Sequence, residues 1–302
     1  MPSPEMTAAA EVLAQAIPAV LAAPVADQRA TWEALAGPVP GDVSVTATDV
    51  AGLPAEVVRA PGAAEDAVVV HLHGGGYVIG SPRSHRLLAA RLSAASGATV
   101  VVPEYRLAPE DPFPAAVEDA RAVVEAVVAE VGPARVAVSG DSAGGGLAVA
   151  VLAAWPAGRS GPAAALCFSP WADLSATGVL GDGGADPGER GEVVLSREWL
   201  AACARSYLGA HDAADPLASP VHARLGGLPP LLVQVGTTEL LLGDARRLVA
   251  AARAAGAEAE LVEVAGAVHL WMLLVPEAPE SASAYERAGA FLRARLGAAA
   301  VP

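Results

Sequence analysis

The chain has 302 residues, a formal net charge of −14 and 53% hydrophobic residues, enough apolar material for one large domain with a sizeable core. The acidic balance repels phosphate backbones and argues against nucleic acid as a partner. All nineteen basic residues are arginines, which excludes a lysine base, a lysine Schiff base and a phosphate-loop lysine.

In chain order, the first forty residues read as one or two helices broken near Pro18 and Pro24, ending at the breaker Gly37-Pro38-Val39-Pro40-Gly41. Residues 1–41 are expected to form a helical cap segment over the active-site end of a sheet. The Ala-rich stretch Ala8–Val25 has no basic residue before Arg29 and is interrupted by Glu11, Gln15 and Pro18, so neither a signal peptide nor a membrane span is expected. Val43–Thr48 alternates and pairs with Ala55–Arg59 as a hairpin through Gly52. Continuous apolar runs follow at Ala67–Leu72, Ala98–Val102, Arg135–Ser139, Ala163–Phe168, Leu231–Val235 and Glu260–Val264, as parallel strands covered on both faces require. Helical patterns lie between or after them at Ser84–Ala95, Pro114–Val131, Ala143–Trp155, Leu240–Ala255 and Ser281–Leu296. The alternation predicts an α/β fold with a mostly parallel sheet and helices on both faces, over 42–302. An insertion at about 171–229 breaks the rhythm. Within it, Gly178–Gly191 reads as a loop, and Ser196 as the N-cap of a helix through Tyr207.

The central chemical signal is Gly140-Asp141-Ser142-Ala143-Gly144, placed between a strand and a helix. A turn that tight admits only small residues beside the serine, and the helix N-terminus behind it favours developing negative charge. A glycine turn serving packing alone is the plainer alternative. It loses ground to a second motif, His73-Gly74-Gly75-Gly76, directly after another strand, because such glycines can turn backbone N–H groups toward an oxyanion. His73 reads as shaping this glycine loop. A serine nucleophile needs a base. Of six histidines, His269 alone follows the last strand, with His222 the weaker alternative. Glu239 sits just past the preceding strand, where an orienting carboxylate belongs; Asp244 is next in order and Asp215 third. The order Ser142, Glu239, His269 is that of a serine, acid, histidine hydrolase. Cys167 and Cys203 form no disulfide framework and no metal spacing, so a cytoplasmic protein without a metal or cofactor is expected.

Together with Tyr105-Arg106-Leu107-Ala108-Pro109-Glu110, Asp215-Pro216-Leu217 and Gly266–His269, these motifs resemble the hormone-sensitive-lipase-like bacterial esterases of the α/β-hydrolase superfamily, in the branch with a GDSAG elbow. The resemblance implies an eight-stranded α/β-hydrolase core with an N-terminal helical cap. It implies an oxyanion hole from the N–H groups of Gly75, Gly76 and Ala143, and structural roles for Arg106 and Glu110. It further implies a serine carboxylesterase acting on small-molecule esters with short to medium acyl chains through an acyl-enzyme on Ser142, without a cofactor. Homodimers occur in the family. The family usually has Asp where this chain has Glu239, and commonly Trp or Phe where it has Tyr77. The same triad would also serve a lactone or amide hydrolase or a natural-product deacetylase, and the fold could carry a non-catalytic small-ligand binder. Trp32, Trp171, Trp199 and Trp271 are candidates to line a substrate pocket, or simply core aromatics.

Overall fold

A computed structural model describes residues 1–34, 36–175, 178 and 191–297. Its centre is an eight-stranded sheet: β1 (Ser44–Val50), β2 (Leu53–Arg59), β3 (Ala64–Leu72), β4 (Ala98–Pro103), β5 (Val136–Asp141), β6 (Ala164–Phe168), β7 (Leu231–Gly236) and β8 (Ala259–Val264). The spatial order is β1-β2-β4-β3-β5-β6-β7-β8; β1/β2 and β2/β4 are antiparallel and every other pair is parallel. The apolar runs explain this arrangement. In β3, Val68, Val70 and Leu72 face one core cluster, while Ala67 and Val69 face the other. A strand with both faces covered has no polar alternation, and only helix-flanked sheets supply that cover.

The helices are α1 (Pro4–Ala22), α2 (Val25–Ala34), α3 (Arg86–Ser96), α4 (Ala115–Val131), α5 (Ser142–Ala153), α6 (Arg197–Leu208), α7 (Leu242–Ala254), α8 (Trp271–Leu274) and α9 (Pro279–Leu296). Helices α4, α5 and α7 contribute to the first cluster, and α3 and α9 to the second. The hairpin through Gly52 and the N-cap at Ser196, whose hydroxyl accepts from Trp199 N–H, are both present. One expectation needs correction, and one element was unforeseen. Pro18 does not break the first helix: α1 continues through it to Ala22, and the break comes at Ala23-Pro24. One internal proline deletes a single backbone hydrogen bond, which a helix can bear where it packs against neighbours. The turn of helix at Trp271–Leu274 was not expected, because one turn is too short to show an apolar period. The loop expected over Gly178–Gly191 lies, except for its end glycines, outside the described residues.

Among the described residues, α1 is the one helix with the length and apolar composition to cross a membrane. It contains Glu5, Glu11 and Pro18. Here it rests on the core through fully buried Met6 and through Ser3, whose hydroxyl donates to Glu280 at 2.8 Å. Both cysteines are free and buried.

Candidate active site

The parallel strands aim their carboxyl ends at one edge of the sheet. Strand order reverses between β3 and β5, which pair in register as His71↔Ser139 and Leu72↔Gly140. In open α/β sheets a crevice forms outside such a reversal. The loop after β3 therefore lies beside the turn after β5. That turn is extremely tight. Ser142 has φ of 50°, a left-handed conformation rare for a residue with a side chain. A Cβ on Gly144 would collide with the carbonyl oxygens of Leu72 and His73. The small residues flanking the serine are thus required by the approach of β3 to the start of α5.

Three side chains from distant segments meet here. His269 Nε2 lies 3.1 Å from Ser142 Oγ, and His269 Nδ1 lies 2.7 Å from Glu239 Oε2. A carboxylate can only accept, so Nδ1 carries the proton and Nε2 is left to accept from the serine hydroxyl. Glu239 is buried, and its other oxygen accepts from Ser169 Oγ at 2.7 Å and Gly236 N–H at 2.6 Å. Burial pushes the His269 imidazole down, but the charge and hydrogen bond of Glu239, with lesser help from Glu192 and Asp141, carry it above its ordinary value. Burial raises Glu239 against the opposing attraction of His269.

The glycine loop is held from behind. Asp141 Oδ1 accepts from Gly74 N–H at 3.0 Å and from His71 Nε2 at 3.1 Å. Burial opposes the Asp141 charge, yet the facing His85 and His71 hold its carboxyl well below the usual range. His73 Nδ1 donates to Gly74 O at 2.8 Å, its ring stacks on Tyr105, and burial pushes its imidazole down to about 3. Gly75 has φ of 116° and Gly76 of 61°. Among the described residues nothing accepts the N–H groups of Gly75, Gly76 or Ala143. Arg106 pairs with Asp119 at 2.7 Å; Glu110 pairs with Arg29 of α2, which also donates to the carbonyls of Val78 and Ala108.

The other candidates sit elsewhere. Asp244 accepts from the N–H groups of Ala172 and Asp173 and pairs with Arg247 at 2.7 Å. His222 lies 3.5 Å from Asp173, and Asp215 accepts from Leu217 N–H. Burial raises Asp244 to about 7. A carboxyl raised on folding adds stability that is complete below its unfolded value and is lost as pH rises through its folded one. Asp244→Asn is accordingly expected to flatten the decline in denaturant midpoint between roughly pH 4 and 7, with turnover within a few-fold of the parent.

A cavity of about 580 Å³ opens between α1, α2 and α6. Ile17, Leu21, Val78 and Trp199 line it, with Glu192 and Glu198 among its few charged groups. Of the four candidate tryptophans, Trp199 lines this cavity, and Gln28 accepts its indole N–H at 2.9 Å. Trp32 and Trp171 belong to the first core cluster and Trp271 to the second. Tyr77 is buried, stacked on Tyr207 at 3.8 Å. Sequence reasoning missed Ser169, His71, His85 and Glu192. Of these only His71, in the strand end beside the glycine motif, carried any local signal; the others depend on which segments the fold brings together.

Known proteins share this fold. A family model described as alpha/beta hydrolase fold matches residues 69–273. An acetyl-hydrolase of Streptomyces hygroscopicus is 45% identical over 86% of this chain and 85% of its own length. The carboxylic ester hydrolase LipN of Mycobacterium tuberculosis is 33% identical over 90% of this chain and 75% of its own length. The crystal structure of an esterase from the bacterial hormone-sensitive lipase family superposes with a TM-score of 0.90 at 42% identity, covering 98% of this chain and 100% of that one. The chain therefore belongs to the α/β-hydrolase fold family, among its hormone-sensitive-lipase-like ester hydrolases.

Proposed function

We propose that the protein is a serine carboxylesterase that cleaves small-molecule esters of short to medium acyl groups through an acyl-enzyme on Ser142. The observation that carries this reading is the hydrogen-bonded chain from Ser142 Oγ through His269 to Glu239 at the carboxyl edge of the sheet. His269 takes the hydroxyl proton as Ser142 Oγ bonds to the ester carbonyl carbon. The N–H groups of Gly75, Gly76 and Ala143 receive the oxyanion. Collapse breaks the carbon–oxygen bond to the alcohol, which leaves with the proton from His269. Water, deprotonated by the same imidazole, then releases the acid and restores Ser142. Residues 1–41 and the insertion at about 171–229 act as a cap on the catalytic domain 42–302; the contacts of Arg29 and Gln28 support this role. Two free buried thiols are compatible with a cytoplasmic setting.

The acetyl-hydrolase name of the Streptomyces relative favours acetyl as the acyl group, including acetyl esters of a natural product. Fluorophosphonate labelling with peptide mapping should mark Ser142, and p-nitrophenyl acetate should be cleaved faster than the octanoate. Label elsewhere, or none on folded protein, would sink the mechanism; faster octanoate cleavage would sink the acyl preference; turnover of lactones or amides alone would reassign the substrate class.

The raised His269 fixes a pH expectation. The base must be neutral to act, so kcat/KM should fall as pH drops through a value above that of free imidazole. Glu239→Gln removes the charge that holds the imidazolium, so the acid limb should move to lower pH while kcat falls by roughly 10²-fold or more. A pH–rate series on both proteins checks this.

A further inference from the structure

Among the described residues, the segment entering α6 hydrogen-bonds to the turn that carries Glu239 through the side chain of Glu192. Its Oε1 accepts the N–H groups of Val194 at 2.8 Å and Leu195 at 3.1 Å, closing a local turn. Its Oε2 accepts the N–H of Leu240 at 2.8 Å, and Leu240 directly follows Glu239. On the same turn, Thr238 Oγ1 donates to Ala267 O at 2.6 Å, two residues before His269. Glu192 also lines the cavity under α1 and α2. One carboxylate thus joins the cavity wall to the turn bearing Glu239.

Glu239 is fixed from the sheet side by Ser169 and Gly236. Its own N–H makes only a long contact of 3.4 Å to Gly236 O. The outer end of the turn is held at Leu240 N–H, which donates to Glu192. A carboxylate acceptor strengthens the hydrogen bonds it receives, and the Leu240 bond at 2.8 Å lies in that charge-assisted range.

We propose that Glu192 is a positioning residue for the Glu239–His269 pair, holding the acid's turn through Leu240. The proposal rests on the serine esterase reading above. Among the described residues, Glu239 from the turn after β7, Glu192 from the segment before α6 and Asp141 from the elbow each favour the charged His269 ring electrostatically, and the Ser142 hydroxyl lies 3.1 Å from its Nε2. Glu239 and Glu192 both favour the imidazolium that forms as Ser142 gives up its proton. They differ in that Glu239 touches the ring and Glu192 acts through Leu240 and through its charge.

The test compares the parent with Glu192→Gln and Glu192→Ala, using kcat and KM for p-nitrophenyl acetate across pH, and the His269 titration by NMR. Glu192→Gln keeps an acceptor oxygen and loses the charge. Its acid limb and its imidazole titration should both move to lower pH by roughly half a unit. Glu192→Ala should lower kcat about tenfold with KM within about twofold, because the acid is displaced rather than the substrate. If parent and Glu192→Gln share the same kcat, acid limb and imidazole titration, the proposal is overturned. A rise in KM alone would also overturn it, assigning Glu192 to the cavity wall. Should Glu192→Ala fail to fold, Glu192→Gln decides. Fluorophosphonate labelling of the parent at Ser142 separates the two readings: an unlabelled, inactive parent refutes the esterase reading, and a labelled parent with unshifted variants refutes only the role of Glu192.

Discussion

Replacing Ser142 with alanine is expected to lower kcat by on the order of 10⁵-fold and to abolish fluorophosphonate labelling, with the thermal midpoint nearly unchanged. The size follows from the site. Ser142 Oγ is the one side-chain oxygen in contact with His269 Nε2 among the described residues, so its removal ends the covalent route. His269 and Glu239 remain paired at 2.7 Å, and the turn keeps its shape because its close contacts come from Gly144 and the β3 carbonyls. Residual hydrolysis would come from donors still able to polarise a bound ester and from positioned water. The measurement is turnover on p-nitrophenyl acetate together with a melting curve. A mutant that is folded and retains more than about a hundredth of parental turnover would exclude Ser142 as the nucleophile.

Gly75→Ala is the second large effect. Gly75 has φ of 116°, where a residue with a Cβ is strained, and its Cβ would strike the Ile79 carbonyl oxygen. That oxygen belongs to the turn in which Val78 and Ile79 donate their N–H groups to Gly75 O at 3.0 Å. The clash must move the segment that carries the Gly75 and Gly76 donors. Losing one such donor costs a factor of about 10² to 10³ in kcat. The variant should show that loss with KM nearly unchanged, because the donors act on charge that exists only in the transition state. Circular dichroism and a melting curve check that the fold survives the strain, which costs about 1–3 kcal/mol. A folded Gly75→Ala protein with parental kcat would remove Gly75 from the oxyanion site.

The elbow at Ser142 was legible because it imposes a local rule. A strand, a left-handed serine and a helix can be joined only through small residues, so the constraint appears within five consecutive letters. His73-Gly74-Gly75-Gly76 is readable for the same reason. Glu239 and His269 were singled out by position relative to strand ends, and the two side chains meet because parallel strands deliver their carboxyl termini to one edge. The choice between Glu239 and Asp244 was not local. Five residues separate them, yet one faces His269 and the other bonds Ala172, Asp173 and Arg247.

By itself, then, the sequence determined the number and type of strands, the two glycine-rich turns and the place of Ser142 between strand and helix, because each depends on periodicity or on steric limits within a few residues. The tertiary structure alone decided what stands behind and above them: Asp141 holding Gly74 with His71 and His85, Ser169 and Glu192 on the two sides of the Glu239 turn, and a cavity walled by α1, α2 and α6. Like the pair Gln28 and Trp199, 171 positions apart, these contacts join residues distant in the chain. Such pairs leave no pattern along the chain, since each partner satisfies a hydrogen bond or fills a space that exists only once the sheet has brought its strand ends together.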